Sequence, residues 1–399
     1  MYNIIKKKYS LINSIPWEMS FEERLNFLMK FSKQYKLMVH IYEKADTSTF
    51  RYRCYNIYQL LLKSETWRSI YFFDNEVNKI LAYLDIIDVV TIVRARFSLN
   101  ILELIGRVKA KKIPLVFDVD DLVFDLKKLP LLTNTLNVRL KNHVEYDFWF
   151  AYIGRISLVG EYADYCTTTN EFLAERLMKK YNKPTHIIPN GLNHEQIQIS
   201  QECLSYKKND KTNQNFCIGY FSGTPSHIND FLSVSDEIEM LLNEFENITL
   251  KIVGFMEIPE KLLYLVKSKK IIQEPLQNFI DLQKKIAEVD VNIVPLVNNE
   301  FTNCKSELKY FEAAIVHTIT CASPTYMFVN NITQSETGFI CKPGEWYETI
   351  KKIYSLSFSE RKEIAENSYQ YCLKKYSGSD VIKNIEKVYD EIVMEGNEE

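Results

Sequence analysis

Glycine is scarce in this chain, at 11 of 399 residues, and the sequence G-x-G-x-x-G does not occur. That glycine-rich turn binds the pyrophosphate of dinucleotide cofactors, so its absence argues against a nicotinamide oxidoreductase. No run of about 18 apolar residues is present either, which excludes a conventional membrane-spanning helix. The lysines at positions 6–8 are not followed by an apolar stretch, so we do not expect a signal peptide.

Cysteine pairs spaced as C-x-x-C are absent among the eight cysteines, which argues against a zinc ribbon or a redox pair. Scattered thiols without a secretion signal fit a reducing compartment. We therefore expect a cytoplasmic protein, and peripheral contact with the inner face of the cell membrane stays open. The net charge of −3 gives no basic excess for a phosphate backbone, so nucleic acid is not an expected partner.

What the chain does contain is an alternation of short apolar runs with longer amphipathic ones. A length of 399 residues suits two domains, because domains cluster near about 100–150 residues. Apolar strands alternating with helices predict parallel sheets covered by helices on both faces. We therefore predict an α/β protein with two doubly wound, Rossmann-like domains facing each other across a cleft, residues 1–200 and 201–377, with 378–399 packing back on the first domain.

The predicted elements follow this alternation along both halves. The strand candidates are Leu37–Tyr42, Ile70–Phe73, Val89–Val93, Leu115–Asp118, Cys166–Thr168, Ile187–Ile188, Cys217–Tyr220, Leu250–Val253, Ile271–Ile272, Val291–Pro295, Ile319–Cys321 and Phe339–Ile340. The helix candidates are Arg51–Lys63, Ser98–Lys111, Leu136–Ser157, Glu171–Lys180, Asp230–Glu244, Leu276–Val289, Lys305–Val316, Trp346–Tyr354, Glu360–Tyr376 and Asp380–Met394. The polar, aperiodic segment Gln201–Asn215 predicts the hinge between the halves.

The segment 303–314 contains the strongest candidate site. In a helix beginning at Lys305, Lys305 and Glu312 share one face about 10.5 Å apart, roughly the span from the ribose to the far phosphate of a nucleoside diphosphate. The Lys305 charge and the free N–H groups of Ser306 and Glu307 would hold the diphosphate, and the Glu312 carboxylate would accept from the ribose hydroxyls. An amphipathic helix with a solvated lysine and glutamate has the same spacing and stays the alternative.

The turn after the predicted strand Cys217–Tyr220 is the second candidate. Ser222, Gly223 and Thr224 place a glycine between hydroxyl groups, where a phosphate can approach the backbone. His227 follows near the start of the next helix and is a candidate for contacting the diphosphate. A capping or solvated histidine would have the same position, which keeps that alternative open.

Three carboxylates, those of Asp118, Asp120 and Asp121, lie at the end of a predicted buried strand of the first half. Charges this close repel one another unless they face a cleft or are paired. A metal site is one interpretation. We favour acceptor binding or ion pairing, because the donor site in the other half already has cationic groups. The candidate partners are Arg53, Arg94 and Arg96. The segment Arg51-Tyr52-Arg53 could also reach the cleft, and a solvated basic turn is the equal alternative.

An aromatic cluster between Tyr146 and Tyr152 covers all sides of its predicted helix, so we expect it to be mostly core. A lipid-facing patch is the alternative, because three cations lie near it. They are Arg139, Lys141 and Arg155.

Several short motifs, taken in this order and spacing, carry a family resemblance. They are Phe117-Asp118 with Asp120-Asp121, Ile188-Pro189-Asn190-Gly191, Ser222-Gly223-Thr224 with Ser226-His227, and a Pro-Leu strand end followed by Lys305-Ser306, Leu308-Lys309-Tyr310 and Glu312-Ala313-Ala314. From about Leu37 to Tyr376, the chain resembles the bacterial glycosyltransferases of family 4, which have the GT-B fold. The resemblance implies a retaining, metal-independent transfer from a nucleotide sugar, held mainly by the second domain, to a glycan or lipid-linked glycan of the cell surface.

The resemblance also implies residue roles, with two departures. Glu312 corresponds to the second glutamate of the E-x7-E motif, which binds ribose, whereas the first would fall at Cys304. The usual arginine and lysine pair is not evident after the strand Cys217–Tyr220, and Lys305 and His227 are our candidates to replace it. The donor-binding candidates are thus Ser222, Gly223, Thr224, Cys304, Ser306, Glu307, Leu308 and Glu312; the acceptor-side candidates are Arg53, Asp118, Asp120 and Asp121.

Two other functions compete with a transferase. A GT-B chain that binds a glycan or partner glycosyltransferases without catalysis would explain Cys304 at the motif position. A sugar-nucleotide epimerase of the same fold would need no acceptor, but neither the carboxylates nor the aromatic helix supports it. We expect no cofactor and no metal, since the nucleotide sugar is a substrate.

Overall fold

The computed structural model describes residues 17–138, 140, 142–207, 215–223 and 228–396. Two parallel sheets of six strands each organise this part of the chain. The first sheet contains β1 (Lys36–Tyr42), β2 (Trp67–Phe73), β3 (Val89–Val93), β4 (Leu115–Asp118), β5 (Tyr165–Thr168) and β6 (Thr185–Ile187). The second contains β7 (Phe216–Ser222), β8 (Ile248–Gly254), β9 (Ile271–Glu274), β10 (Val291–Val294), β11 (Ile319–Ala322) and β12 (Phe339–Ile340).

The strand order is the doubly wound one in both sheets, β2-β1-β3-β4-β5-β6 and β12-β11-β10-β7-β8-β9. Nearly every residue of the central strands is buried, because helices cover both faces of each sheet. The predicted fold class, with its twelve strands, is therefore confirmed. We call the units around the two sheets the first and the second domain.

The helices alternate with the strands. They are α1 (Phe21–Phe31), α2 (Ser48–Phe50), α3 (Asn56–Leu61), α4 (Val77–Ile80), α5 (Leu99–Ala110), α6 (Leu129–Thr135), α7 (His143–Tyr162), α8 (Glu171–Tyr181), α9 (His194–Lys207), α10 (Ile228–Leu232), α11 (Ser235–Glu244), α12 (Leu263–Lys267), α13 (Phe279–Ala287), α14 (Glu300–Asn303), α15 (Leu308–Ala314), α16 (Tyr326–Asn331), α17 (Trp346–Ser355), α18 (Phe358–Tyr376) and α19 (Ser379–Gly396). Between α2 and α3, residues Arg51–Tyr55 form a π-helix. No helix within the described ranges is long and apolar enough to cross a membrane.

The helix α19 packs on the first domain, as predicted. After α18, the chain turns at Gly378, which has a φ of +94° and open space around it. Val381, Ile385 and Tyr389 then join a buried cluster with side chains of β1, β2, β3 and β4. The Tyr389 hydroxyl lies 3.1 Å from Oγ1 of Thr91, so α19 is bonded to the centre of the first sheet.

Several predicted boundaries are wrong. The helix predicted over Asp230–Glu244 is two helices, α10 and α11. The helix predicted to begin at Lys305 begins at Leu308, because Lys305 lies in a turn after α14 in which its N–H donates to the Thr302 carbonyl. The helix predicted over 136–157 is α7, which begins at His143, because α6 already occupies residues 129–135. Residues 201–207 of the predicted hinge belong to α9, which packs against α13.

Candidate functional site

The loops that follow the strands of both sheets meet between the two domains, where ligands of open α/β sheets bind. The wall on the side of the second domain is the segment 299–312, which contains α14, a turn and most of α15. Seven residue pairs join this segment to the first domain by hydrogen bonds or ion pairs. They are Asn299–Thr135 (3.1 Å), Glu300–Lys128, Glu300–Arg176 (3.4 Å), Asn170–Cys304 (3.0 Å), Asn190–Ser306 (2.9 Å), Lys305–Asp121 (3.5 Å) and Tyr52–Glu312 (2.6 Å).

Lys305 faces the first domain, as its predicted role requires. Its Nζ lies 3.5 Å from Oδ1 of Asp121 and 4.7 Å from the centre of the Phe301 ring. The side chain remains 24% exposed. Because Lys305 precedes α15, the helical spacing argument does not apply to it, yet the turn still places it beside the acidic cluster of the first domain.

Lys309 is a cation of this site that was not predicted as a site residue. It lies in the first turn of α15, with Nζ 5.5 Å from the centre of the Tyr220 ring, and has no carboxylate within ion-pair distance among the residues that the structure describes. The pKa of Lys309 is lowered to about 8, chiefly by burial and also by the charge of Lys305, whereas the charges of Asp230 and Glu312 offset part of the decrease. The sequence signal that could have identified Lys309 is its position four residues after Lys305, the spacing of neighbours on one face of the helix predicted there.

Glu312 also faces the first domain, from the last turn of α15. The Tyr52 hydroxyl donates to its Oε1 at 2.6 Å. Burial raises the pKa of Glu312, and the bond from Tyr52 and the charges of Arg51 and Lys309 offset part of that rise. The structure thus brings Lys305, Lys309 and Glu312 to one wall of the cleft.

The side chains next to Lys305 in sequence are engaged in packing or in hydrogen bonds within the protein. Cys304 is fully buried in the apolar cluster of the first domain, and burial raises the pKa of its thiol to about 12. Its side chain therefore does not face a ligand space. Ser306 accepts from Asn190, and Leu308 packs in a cluster with α18. The Glu307 carboxylate is buried and accepts from the Tyr376 hydroxyl at 2.5 Å, which leaves only its backbone as a donor candidate.

The second predicted site is described in part. Ser222 is buried at the end of β7, and its carbonyl accepts from the Phe255 N–H at 3.0 Å. Gly223 is exposed, and a Cβ placed there would meet no atom of the described residues within 4 Å. Thr224 and His227 lie outside the described residues. None of the residues that the structure describes therefore blocks the Gly223 backbone.

Arg53 and Asp118 form a buried ion pair at the centre of the first domain. Arg53 Nη2 lies 2.6 Å from Asp118 Oδ2, and the two side chains are 0% and 2% exposed. Arg53 also donates to the carbonyl of Ile188 and to Asn190, and Asp118 accepts from the Thr167 hydroxyl at 2.7 Å. These two predicted acceptor-side residues are thus joined to each other, and the pair supports the Asn190–Ser306 contact.

Asp120 and Asp121 are paired with Arg94, whose Nη1 lies 2.9 Å and 3.2 Å from them. Burial alone would raise the pKa of Asp120, but the charge of Arg94 and the hydrogen bond from Thr49 outweigh burial and hold that pKa below its ordinary value. Arg96 pairs instead with Glu43. The ion pairing that we favoured over a metal site is therefore present at all three carboxylates. In the described part of the chain, no group of three or more histidine, cysteine or acidic side chains is arranged to hold a metal ion.

The aromatic cluster of α7 is more exposed than predicted. Tyr146, Phe148 and Phe150 are 45%, 57% and 47% exposed, whereas Trp149 and Tyr152 pack against the first-domain core. The expectation that this cluster is mostly core is therefore wrong for three of its rings. Two of the three predicted neighbouring cations, at positions 139 and 141, lie outside the described residues.

No protein-family model matches the chain. The capsular polysaccharide biosynthesis glycosyltransferase CapM of Staphylococcus aureus is 22% identical over 256 residues, which are 60% of this chain and 65% of CapM. The match thus spans less than two thirds of that relative.

Solved glycosyltransferases have similar structures. A glycosyltransferase from Rickettsia africae has a TM-score of 0.60 at 15% identity, with 90% of this chain and 99% of that chain covered. HepE of Anabaena, solved in complex with UDP-glucose, has a TM-score of 0.59 at 12% identity, with 89% and 99% covered. WaaG, a glycosyltransferase involved in lipopolysaccharide biosynthesis, has a TM-score of 0.54 at 14% identity, with 89% and 99% covered. At these identities the likeness shows the fold, which is GT-B.

Proposed function

We propose that this protein is a glycosyltransferase that moves a sugar from a nucleoside diphosphate donor to a glycan or lipid-linked glycan in bacterial surface polysaccharide synthesis. The observation that carries the proposal is the wall formed by Lys305, Lys309 and Glu312 between two Rossmann-like domains. The likeness to CapM and WaaG supports the polysaccharide role, and the HepE complex makes UDP-sugars the first donors to test.

The two lysines suit the leaving group of this reaction. Breaking the bond between the anomeric carbon and the diphosphate leaves an additional negative charge on the diphosphate, and preorganised cations lower that barrier. Lys305 approaches from the turn before α15 and Lys309 from its first turn. Because Lys309 has no ion-pair partner among the described residues, a bound diphosphate would supply the anion that its partly buried charge lacks.

Transfer with retention, without a metal, fits this arrangement. The acceptor oxygen bonds to the anomeric carbon on the face that the diphosphate leaves, and the acceptor proton passes to a diphosphate oxygen. A side-chain base is then not required, and Lys305 and Lys309 supply the charge that a metal would otherwise supply. We propose that His227 and the backbone at Gly223 complete the diphosphate site, and that the acceptor enters beside Asp120 and Asp121. Turnover should not change in the presence of EDTA.

Peripheral membrane contact is part of the proposal. The exposed rings of Tyr146, Phe148 and Phe150 form an aromatic surface on α7 of the kind that lies at membrane interfaces. Contact there would bring a lipid-linked acceptor to the first domain. Cosedimentation with anionic vesicles, lost in a triple serine variant of these rings, is the measurement.

The test of the donor site is turnover of a UDP-sugar by lysine variants. We expect Lys305→Ala and Lys309→Ala each to lower kcat/KM by about 10²–10³-fold, the usual loss when one charge-stabilising donor is removed. Lys362→Ala, on the exposed surface of α18, is the matched control and should behave as wild type. Because the pKa of Lys309 is about 8, donor affinity should fall as the pH rises through 8, and Lys309→Arg should remove that fall. Wild-type turnover in both alanine variants would refute the site.

A non-catalytic subunit that binds a glycan or a partner glycosyltransferase is the second candidate. It is favoured by Cys304, because a buried thiol stands where the related family has a glutamate that contacts the donor sugar. Hydrolysis of the donor by the pure protein distinguishes the candidates. Slow release of the nucleoside diphosphate that disappears in Lys305→Ala supports the enzyme, and binding of the donor without any release supports the subunit.

A further inference from the structure

The Tyr52 hydroxyl connects the first domain to the carboxylate that we assign to the ribose. It lies 2.6 Å from Glu312 Oε1, across 260 residues of sequence. The same hydroxyl accepts from Nε2 of Gln196 at 2.8 Å. Because the Gln196 amide nitrogen is a donor, the Tyr52 proton is directed to Glu312.

Tyr52 has little freedom to turn away. It lies in the π-helix Arg51–Tyr55, and the next residue, Arg53, is bonded to Asp118. Its ring is 3% exposed and meets the Phe311 ring of α15 edge-on, at 5.9 Å between centres. Single-turn π-helices occur often at functional sites. In this one, Tyr52 bonds to Glu312 of the second domain, whereas the next residue, Arg53, bonds to Asp118 of the first.

We propose that Tyr52 is a positioning residue for the donor: it holds one oxygen of Glu312 so that the other faces the ribose hydroxyls. This inference rests on the proposed function. It makes the second-domain ribose site depend on the first domain, because the carboxylate is oriented only while the two domains are in contact. Ribose recognition and domain contact would then strengthen each other.

Loss of the Tyr52 hydroxyl would also change the protonation of Glu312. Glu312 must be ionised to accept from both ribose hydroxyls, and burial raises its pKa. Three groups oppose that rise, namely the hydroxyl of Tyr52 and the charges of Arg51 and Lys309. Without the hydroxyl the pKa of Glu312 should rise further, and the acid limb of donor binding should move to higher pH.

The experiment is calorimetric titration of UDP and of 2′-deoxy-UDP into the wild type, Tyr52→Phe and Tyr55→Phe, from pH 5 to 8. Tyr55 is the matched control, because it lies in the same π-helix and its hydroxyl also donates to a glutamate, Glu195, at 2.7 Å. In Tyr52→Phe we expect affinity for UDP to fall about 10- to 100-fold, as for a lost hydrogen bond to a charged group. The preference for UDP over the deoxy analogue should largely disappear, and the acid limb should shift upward.

The outcomes separate the two proposals. If Tyr52→Phe keeps the wild-type affinity, preference and acid limb, or if Tyr55→Phe loses as much, the positioning role is overturned. If Lys305→Ala and Lys309→Ala still bind UDP as the wild type does, the proposed donor site fails, whatever Tyr52 does. A third outcome is that the two lysine variants lose affinity for UDP whereas Tyr52→Phe does not. That result would support the donor site and reject only the positioning role of Tyr52.

Discussion

Replacing Arg53 by Met should destabilise the first domain strongly. The variant leaves the Asp118 carboxylate, whose side chain is 2% exposed, with the Thr167 hydroxyl but no cation. Removal of one partner from a buried ion pair costs about 3–5 kcal/mol, because the remaining charge stays desolvated. That is a large share of a typical unfolding free energy of about 5–15 kcal/mol. Urea unfolding followed by tryptophan fluorescence measures the loss.

Two companion variants make the reasoning on Arg53 refutable. Arg107→Met removes an exposed arginine whose nearest carboxylate, that of Glu103, is 4.0 Å away, and it should cost less than about 1 kcal/mol. The double variant Arg53→Met with Asp118→Leu removes both buried charges and should be more stable than Arg53→Met alone. If Arg53→Met loses no more than Arg107→Met but binds the acceptor more weakly, the pair serves the acceptor and not the fold.

Two further predictions concern the acidic cluster and the turn after β8. Because the pKa of Asp120 is held below its ordinary value, the contribution of Asp120 to the unfolding free energy is present above about pH 4 and is lost as the pH falls. In Arg94→Leu the unpaired carboxylate should instead make the protein more stable on acidification. Urea titrations between pH 3 and 6 measure both effects. Gly254 has a φ of +102°, and a Cβ there would lie 2.0 Å from the Ser222 carbonyl oxygen, so Gly254→Ala should lower the midpoint of thermal unfolding by several degrees. Gly223→Ala, with no atom within 4 Å of the added Cβ, should keep the wild-type midpoint.

The strands could be predicted from the sequence because burial on both faces leaves a direct composition signal. Val89–Val93 is apolar or β-branched throughout, and the predicted and observed strands coincide. Serine is a favoured residue at helix starts, and Ser98, where the predicted helix Ser98–Lys111 begins, is the N-cap of α5; its hydroxyl accepts from the N–H of Ile101. Signals of this kind lie within a few residues of the elements they define.

The contacts that build the site have no such local signal. Tyr52 and Glu312 are 260 residues apart, and nothing near either residue indicates the other. In the sequence, Cys304 occupies the position of the first motif glutamate and is a donor-binding candidate. In the structure, it packs into the core of the first domain. The helix start at Leu308 was misplaced because Lys305 and Ser306 are compatible with a first helical turn, whereas the bond from Asn190 to Ser306 holds them outside it.

The position of α19 also has a consequence for how the polypeptide is made. All six strands of the first sheet precede residue 188, and the helix that covers their apolar side chains begins roughly 190 residues after β6. At about 5–20 residues per second, a ribosome needs about 10–40 s to supply that cover. Throughout this interval the second domain emerges as one continuous stretch, while Met38, Trp67 and Val116 of the nascent first domain lack their native neighbours from α19. The half that is translated first is therefore completed last, and it should be the half that depends on chaperones during synthesis.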